Sequence, residues 1–413
     1  MTAFMDAPQA AARLGVSRQT LYAYVSRGLL AASTDAASRR SLYPAAQVEQ
    51  LLQRRARGRR PGQAAKAALA WGLPVLSSEL TLIEGGELFY RGRPAIDLAR
   101  EASLEEAACL LWGSQTGDAF GTKAPAMPAG WSRQVSRHQS VPGPQRLMTL
   151  FTMLQAHRFS PLAQGNDGHV PATCGTLLRL MTAAVTGVAA SALPVHEQLA
   201  AHWRLNPAGA QRIRQALVLC ADHELNASSF TARCVASTGA DLGAAVTAGL
   251  AALSGAWHGG MSARVEALLD ELAGCRSIRG ALRARLAREP YLPGFGHQLY
   301  PSGDPRARMI LQGLPLEAPI GRLIAAAREL TGQAPSLDLA LVALRRSLGM
   351  PPGSAFALFA IGRTVGWLAH ALEQRELHQL IRPRAAYVGP RPQAAPAAGR
   401  VVRPLGASRE RPG

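Results

Sequence analysis

A loop rich in glycine and proline carries a histidine and an arginine that could do acid–base chemistry and bind an anion. The stretch 292-LPGFGHQLYPSGDPRAR-308 contains Gly294, Gly296 and three prolines, so His297 and Arg306 must project from irregular backbone. Functional groups are often placed on such loops when a rigid scaffold holds them. An imidazole exchanges a proton near neutral pH, and a guanidinium binds carboxylates. A solvated turn with a chance histidine is the alternative interpretation of this loop taken alone.

A second histidine also lies at a break marked by glycines. His258 precedes Gly259 and Gly260 in 254-SGAWHGGMSARVEALLDEL-272, and an apolar pattern at helical spacing begins just after the glycines. Glycine lets backbone come close to whatever the imidazole contacts, and the N–H groups that begin a helix point toward developing negative charge. Two histidines at such breaks are harder to attribute to chance than one.

The rest of the chain predicts a mainly α-helical scaffold with two or three domains. Its 413 residues exceed what one small core needs, and 48% of them are hydrophobic. Aromatic residues make up only 5%, whereas Ala, Leu, Gly and Arg abound, which suits closely packed helices better than sheets. Two short extended segments flank Gly85 and Gly86, and helical patterns alternate with short breaks from residue 143 to Pro383. The small-residue segment 234–253 predicts close helix packing.

The amino end is strongly basic and predicts a helix-turn-helix. The formal net charge of the chain is +18 and its sequence pI is about 11.0. Such a charge permits binding to nucleic acid, although an Arg-rich composition alone could produce the same sum. In 7-APQAAARLGVSRQTLYAYVSRGLL-30, two helical segments meet at a tight turn at Gly15, and Ser17 is a plausible N-cap of the second. The segment 38-SRRSLYP-44 is typical of a short basic wing, and 45–60 of a further helix.

This amino-terminal segment resembles the winged helix-turn-helix of the MerR and excisionase type. The resemblance implies that residues 1–60 form a DNA-binding domain whose second helix meets base edges and phosphates. An ordinary helical hairpin with a solvated basic face is the alternative, and contact with another protein is a further possible role. The side chains expected to contact DNA are Arg18, Gln19, Thr20, Tyr22, Arg39 and Arg40.

Residues 76–389 resemble the citrate synthase family. The similarity follows the chain in order through ELFYRGRPAIDLA, ADHELNASSFTAR, the His-Gly-Gly at 258–260, GFGHQLYPSGDPRA, GRTVGW and RPRAAYVG. Each motif is weak by itself, but the ordered set is strong. The resemblance implies an all-α fold with a large domain, a smaller domain inserted at about 265–365 that closes over the substrates, and a homodimer. Residues 61–75 are then a linker, and 390–413 have the composition of a disordered basic tail.

The family's reaction joins acetyl-CoA to oxaloacetate, which requires removal of a weakly acidic proton next to a thioester without a metal. A carboxylate can act as the base only if the enol or enolate is stabilised as it forms. The resemblance implies that Asp338 of 335-PSLDLALVAL-344 is the base, that His258 hydrogen-bonds the thioester oxygen, and that His297 donates to the carbonyl under attack. It implies no cofactor besides the coenzyme A thioester, which is a substrate.

The resemblance also implies the groups that bind the two substrates. Guanidinium groups hold carboxylates through pairs of hydrogen bonds, which suits a dicarboxylate such as oxaloacetate. Arg382 is expected to reach its site across the dimer interface. The implied sets are His223, Arg306, Arg363 and Arg382 for oxaloacetate, and the backbone of Gly294, Phe295 and Gly296 against the adenine of coenzyme A.

Two departures from the family's pattern bear on activity. The family usually has Asp-Phe-Tyr where this chain has Asp-Leu-Ala from Asp338 onward. It also commonly has a basic residue at the position of Pro301, and often Arg at that of Gln298. Loss of such a cation near the coenzyme A phosphates would weaken binding by about 1–3 kcal/mol, and Arg308 could compensate for it.

The sequence therefore leaves two classes of function open. The first is a condensing enzyme fused to a DNA-binding module, acting on acetyl-CoA or, in a close variant, on propionyl-CoA to give 2-methylcitrate. The second is a transcriptional regulator whose citrate synthase-like domain senses a metabolite with little turnover. The five scattered cysteines lack the spacing of a zinc site or disulfide framework, and no apolar segment predicts a signal peptide or membrane span. We therefore expect a cytoplasmic protein.

Overall fold

The computed structural model describes residues 4–14, 16–26, 30–34, 41–45, 47–48, 76–156, 170–385 and 387–390. Over those residues the chain is mostly helical with two small antiparallel sheets, which confirms the predicted mainly α class. It divides into two compact units, one of Met1–Leu73 with Arg382–Gly413 and one of Pro74–Ile381. The inserted smaller domain, the linker and the tail stay predictions, and the linker and residues 391–413 lie outside the described residues.

The first unit contains a three-stranded sheet and two helices. Strand β1 (Phe4–Asp6), which the sequence analysis did not predict, pairs with β3 (Ser41–Pro44), and β3 pairs with β2 (Ser33–Thr34). Helices α1 (Ala7–Leu14) and α2 (Arg18–Ser26) form the predicted helix-turn-helix. Most of the helix expected over 45–60 lies outside the described residues. A small apolar core joins the elements: Ala10, Ala11, Leu14, Leu21, Leu30, Tyr43 and Val48.

The second unit begins with a small sheet and continues as a helical assembly. Strand β5 (Glu87–Tyr90) pairs with both β4 (Thr81–Glu84) and β6 (Arg93–Pro94), and the β4–β5 turn holds the two predicted glycines. The described helices that follow are α3 (Ala95–Glu101), α4 (Leu104–Trp112), α5 (Thr116–Ala119), α6 (Trp131–Arg137), α7 (Gly143–Ala156), α8 (Val170–Thr186), α9 (Val195–His202), α10 (Pro207–Cys220), α11 (Ala227–Ala236), α12 (Leu242–Leu253), α13 (Met261–Ala273), α14 (Ile278–Leu286), α15 (Pro305–Leu311), α16 (Ala318–Thr331), α17 (Leu337–Ser347) and α18 (Ser354–Glu376).

Helix α18 lies at the centre of the second unit. It packs against α4, α8, α10, α11, α12 and α17. By length and composition α18 could cross a membrane, but 89% of its apolar window is buried inside the protein, as expected for a core helix. A Cβ atom at Gly249 of α12 would lie 2.6 Å from the ring of Trp367, so this glycine permits the close packing of α12 on α18 that the small-residue pattern predicted.

Candidate active site

Backbone hydrogen bonds hold the loop that carries His297 against the segment before α17. The N–H of Gly296 donates to the carbonyl of Ala334 at 2.9 Å, and the N–H of Ser336 donates to the carbonyl of Gly294 at 2.8 Å. The structure thereby places the loop beside the start of α17, the helix that contains the predicted base. Two segments about forty residues apart in sequence form one side of the site.

The glycines of this loop are required by its shape. Gly294 and Gly296 have φ angles of 81° and 74°, in the left-handed region that favours glycine. A Cβ atom at Gly294 would also lie 2.7 Å from Cγ2 of Val265. Phe295, between Gly294 and Gly296, is buried and forms an isolated antiparallel β-bridge with Pro335. The role of these three residues against adenine stays a prediction.

Asp304 fixes the arginine of the Asp-Pro-Arg motif. Its Oδ1 accepts from Nε of Arg306 at 2.9 Å, and its Oδ2 accepts from Nη2 of Arg306 at 2.8 Å and from the N–H of Leu337 at 3.2 Å. Burial alone would raise the pKa of Asp304, but the charge and hydrogen bonds of Arg306 hold that pKa below its ordinary value. The buried pair therefore anchors Arg306 next to the first residue of α17.

Three aromatic rings meet in the candidate site. The ring centroids of His223 and His297 are 5.1 Å apart, and Tyr300 lies 5.0 Å from His297 and 5.6 Å from His223. The guanidinium carbon of Arg306 lies 5.4 Å from the centroid of Tyr300. The structure thus brings together His223, His297 and Arg306 as the resemblance implied. Tyr300 and Asp304 were not predicted as site residues.

The three predicted imidazoles are neutral near pH 7. Burial lowers the pKa of His223 well below its ordinary value, and the charges of Arg306 and Arg363 lower it further. Burial, with the charge of Arg306, lowers the pKa of His297 to about 4. Burial, with the charge of Arg363, lowers the pKa of His258 to about 3. Each ring then carries one proton, and its chemistry depends on which nitrogen holds it.

His258 lies in a tight turn between α12 and α13. Its Nε2 is 2.8 Å from Oγ of Ser228, and that hydroxyl is also 2.8 Å from Oδ1 of Asn226. A Cβ atom at Gly260 would lie 2.7 Å from the carbonyl oxygen of Ser254. The close approach that this glycine permits within the protein is to the end of α12, and the approach of the glycine backbone to a ligand of the imidazole stays a prediction. Helix α13 begins directly after Gly260, as predicted.

Asp338 lies in the first turn of α17, whose N-cap is Ser336. Its Oδ1 is buried and has no hydrogen-bond partner among the described residues. Its Oδ2 lies 3.5 Å from Oγ of Ser336. Burial raises the pKa of Asp338 to about 7, although the charge of Arg306 opposes the shift. A buried carboxylate with one unpaired oxygen and a pKa near neutrality has the properties of a general base.

Arg363 projects from α18 and is almost completely buried, with 1% of the residue exposed. Its Nε donates to the carbonyl of Cys220 at 2.8 Å. Its Nη2 is also buried and lacks a hydrogen-bond partner within the described ranges. An unpaired buried N–H of a guanidinium is costly, so the position suits an anionic ligand that accepts from it.

The predicted substrate arginine Arg382 is the first residue of the carboxyl-terminal segment that belongs to the first compact unit. Arg382 is exposed, and its Nη1 lies 3.4 Å from the carbonyl of Pro383. Its contribution across a dimer interface stays a prediction. The positions that depart from the family's pattern, Gln298 and Pro301, are exposed, as is Arg308.

The predicted DNA contacts begin at the first residue of α2, Arg18. Gln19 is exposed and Tyr22 is 52% exposed, so both can reach a ligand. The hydroxyl of Thr20 lies 2.9 Å from Oγ of Ser17, whose Oγ also accepts the N–H of Thr20 at 3.2 Å, which agrees with the predicted cap. Arg39 and Arg40 lie outside the described residues.

Comparisons with known proteins match both parts of the chain. Residues 68–384 match the family model for citrate synthase, C-terminal domain, and residues 4–56 match a helix-turn-helix domain model. Citrate synthase of Haloferax volcanii is 32% identical over 361 residues, covering 77% of this chain and 94% of that protein. 2-Methylcitrate synthase of Shewanella oneidensis is 30% identical over 341 residues, covering 75% and 91%.

A further curated relative matches less than half of the chain, and a solved structure matches most of it. Putative citrate synthase 2 of Mycobacterium tuberculosis is 40% identical over 189 residues, which cover 43% of this chain and only 51% of that protein. The chain thus spans about half the length of that relative. A solved citrate synthase of Thermoplasma acidophilum, in a ternary complex with carboxymethyl coenzyme A and oxaloacetate, matches with a TM-score of 0.64 at 25% identity, covering 79% and 97% of the two chains.

Proposed function

Because the chain belongs to the citrate synthase family, we propose that it catalyses the condensation of an acyl-CoA with oxaloacetate and water. Acetyl-CoA would give citrate and propionyl-CoA would give 2-methylcitrate, each with release of coenzyme A. Two buried atoms without a hydrogen-bond partner in the described part of the chain carry the proposal: Oδ1 of Asp338 and Nη2 of Arg363. The first suits the removal of a proton, and the second suits the binding of a carboxylate.

Asp338 is the proposed base for the acyl-CoA, and His258 the group that stabilises the enol or enolate. Oδ1 of Asn226 already accepts the N–H groups of Ser228 and Ser229, each at 3.1 Å. The single proton of the Ser228 hydroxyl can be donated either to Oδ1 of Asn226 or to Nε2 of His258, each 2.8 Å away. We propose that it is donated to Nε2 when the acyl-CoA is bound, which leaves the proton of the neutral ring on Nδ1. That N–H can donate to the thioester oxygen as negative charge develops on it.

His297 is the proposed donor to the carbonyl of oxaloacetate that is attacked. The N–H of Leu299 donates to Nδ1 of His297 at 3.2 Å. The proton of the neutral ring therefore lies on Nε2, which can donate to the oxygen that becomes an alkoxide. Water then cleaves the thioester of the condensed product and releases coenzyme A.

The carboxylates of oxaloacetate are assigned to the buried guanidinium groups. Asp304 accepts from Nε and Nη2 of Arg306, so Nη1 is the nitrogen of Arg306 that the described contacts leave for a ligand. Nη2 of Arg363 and the imidazole of His223 complete the protomer's contribution. In the proposed homodimer, Arg382 of the partner subunit supplies the third guanidinium group.

The helix-turn-helix unit is proposed to bind DNA through the start of α2 and the basic wing. Tyr22 and Gln19 are exposed there, and the wing sequence contains two arginines in succession. All five cysteines are free, which suits the reducing cytoplasm in which we propose that the protein acts.

A metabolite-sensing regulator with little turnover is the second candidate. The observation that favours it is Pro301, exposed at a position where the family commonly has a cation, together with the changed sequence after Asp338. In that case the same pocket would bind the oxo acid and the acyl-CoA without rapid condensation.

Thiol release from acetyl-CoA and from propionyl-CoA, with and without oxaloacetate, tests the proposal. We expect oxaloacetate-dependent release by the natural chain and a loss of about 10²- to 10⁴-fold in Asp338→Ala, because that variant lacks the base. The exposed carboxylate variant Glu101→Ala is the matched control and should retain activity. A folded natural chain that releases no thiol above background would refute the enzyme and favour the sensor.

A further inference from the structure

Tyr300 is buried at the centre of the site and has no part in the steps proposed above, with only 2% of the residue exposed. Its hydroxyl lies 3.0 Å from Nε2 of His223 and makes no other hydrogen bond to the residues that the structure describes. The other ring nitrogen of His223, Nδ1, has no hydrogen bond to those residues. The guanidinium of Arg306 lies over the Tyr300 ring, where a cation is attracted to the π-face.

The protons of this pair can be assigned from the contacts. Burial raises the pKa of Tyr300 to about 12, so the phenol keeps its proton at neutral pH. His223 is neutral there and offers one lone pair. If the phenol donates to Nε2, the phenol proton has an acceptor and the ring proton lies on Nδ1, where a ligand or water can accept it. The reverse arrangement would leave the buried phenol proton without a protein acceptor, which is unfavourable.

We propose that Tyr300 is a positioning residue that holds His223 with its proton on Nδ1, so that Nδ1–H is the donor offered to a carboxylate or carbonyl of the oxo acid. The same ring supports the guanidinium of Arg306, so one side chain orients two of the ligand's partners. Only the identity of the ligand rests on the proposed function. The tautomer of His223 is a property of the protein without ligand.

Nitrogen NMR of the full chain labelled with ¹⁵N-histidine tests the tautomer directly. The His223 signals are assigned by their loss in His223→Gln. We expect a proton on Nδ1 in the natural chain and a mixture of the two tautomers in Tyr300→Phe, which lacks the hydroxyl but keeps the ring. The matched control is Tyr291→Phe, which loses a hydroxyl that donates to Sδ of Met261 at 3.2 Å and has no recorded hydrogen bond to His223 among the described residues. It should leave the His223 signals unchanged.

Kinetics give a second measurement. In Tyr300→Phe the KM for oxaloacetate should rise about 2- to 10-fold, the size of one ordinary hydrogen bond, while kcat and the KM for acetyl-CoA change less than about 2-fold. Tyr300→Leu, which also removes the support of Arg306, should raise the KM for oxaloacetate further.

Several results would overturn the assignment. One is a proton on Nε2 of His223 in the natural chain, and another is an unchanged tautomer in Tyr300→Phe. An unchanged KM for oxaloacetate in that variant would equally refute the positioning role. A natural chain without turnover would instead count against the proposed enzyme, and the NMR measurement would still decide the role of Tyr300.

Discussion

The raised pKa of Asp338 predicts that activity is lost on acidification in a range where an ordinary aspartate would remain active. Burial moves the pKa of this carboxyl from 3.8 to about 7. Because the base must be ionised, kcat/KM should fall about tenfold for each pH unit below this value, to about 1% of its plateau at pH 5. A base with a pKa near 3.9 would keep about nine tenths of its activity at pH 5.

Protonation of the imidazoles does not cause this fall of kcat/KM at low pH, which is the acidic limb of the pH profile. The pKa values of His258 and His297 lie at about 3 and about 4, so both rings stay neutral down to pH 5. The protonation of Asp338 is therefore the change expected between pH 5 and pH 8. When kcat/KM for acetyl-CoA is measured, the limb reports the form of the enzyme that binds acetyl-CoA.

The assay is kcat/KM for acetyl-CoA at saturating oxaloacetate from pH 5 to pH 9 at constant ionic strength. Asp338→Asn should lose about 10²- to 10⁴-fold at pH 8 and should no longer show the limb, because it has no carboxyl to titrate. Glu101→Gln, an exposed carboxylate variant, should reproduce the natural profile. An apparent pKa of 5 or below in a chain that stays folded by circular dichroism would refute the reasoning.

Three further predictions concern the stability of the fold, the binding of oxaloacetate and the binding of DNA. The folded pKa of Asp338 is raised above its unfolded value, so its contribution to stability is full below about pH 4 and is lost as the pH rises through about 7. Asp338→Asn should therefore match the natural chain in urea unfolding at pH 4 and be more stable at pH 8, by about 1–4 kcal/mol. Equal stability of the two chains at pH 8 would contradict the raised pKa. Arg363→Lys should raise the KM for oxaloacetate about 10- to 100-fold. The planar guanidinium can donate from Nε to the carbonyl of Cys220 and from Nη2 to a ligand at the same time, whereas the single ammonium of Lys cannot reproduce both contacts in that geometry. A change below 2-fold would show that Arg363 does not bind the oxo acid. The double variant Arg18→Ala with Arg39→Ala should weaken binding to promoter DNA and reduce the slope of log K against log salt by about 2, measured by mobility shift. Unchanged binding and slope would exclude these residues as phosphate contacts.

The ordered motifs of the citrate synthase resemblance implied most of the candidate site, and breaks in regular structure drew attention to part of it. Glycines and prolines around His297 and Arg306 marked a loop, and both side chains lie in one site with His223. The small-residue segment 234–253 predicted close helix packing, and the structure shows that Gly249 permits it against Trp367 of α18. These predictions succeeded because local sequence alone determines where a helix ends and where backbone can approach closely.

The missed residues depend on contacts between distant parts of the chain. Tyr300 acts on His223, which lies 77 residues earlier, and Asp304 accepts the N–H of Leu337, 33 residues later. No periodic pattern links such positions. The raised pKa of Asp338 and the unpaired Nη2 of Arg363 also follow from burial, which requires the assembled fold. Strand β1 was missed because its three residues are too few for an alternating pattern.

A crystal structure of the chain with oxaloacetate and carboxymethyl coenzyme A tests the central claim most directly. We predict that a carboxylate of oxaloacetate accepts a hydrogen bond from the buried Nη2 of Arg363 and that its keto oxygen accepts from Nε2 of His297. The carboxylate of Asp338 should face the carbon that stands in for the acetyl methyl group. Oxaloacetate bound elsewhere, with Nη2 of Arg363 still unpaired and Asp338 distant from the coenzyme A thioether, would contradict the account.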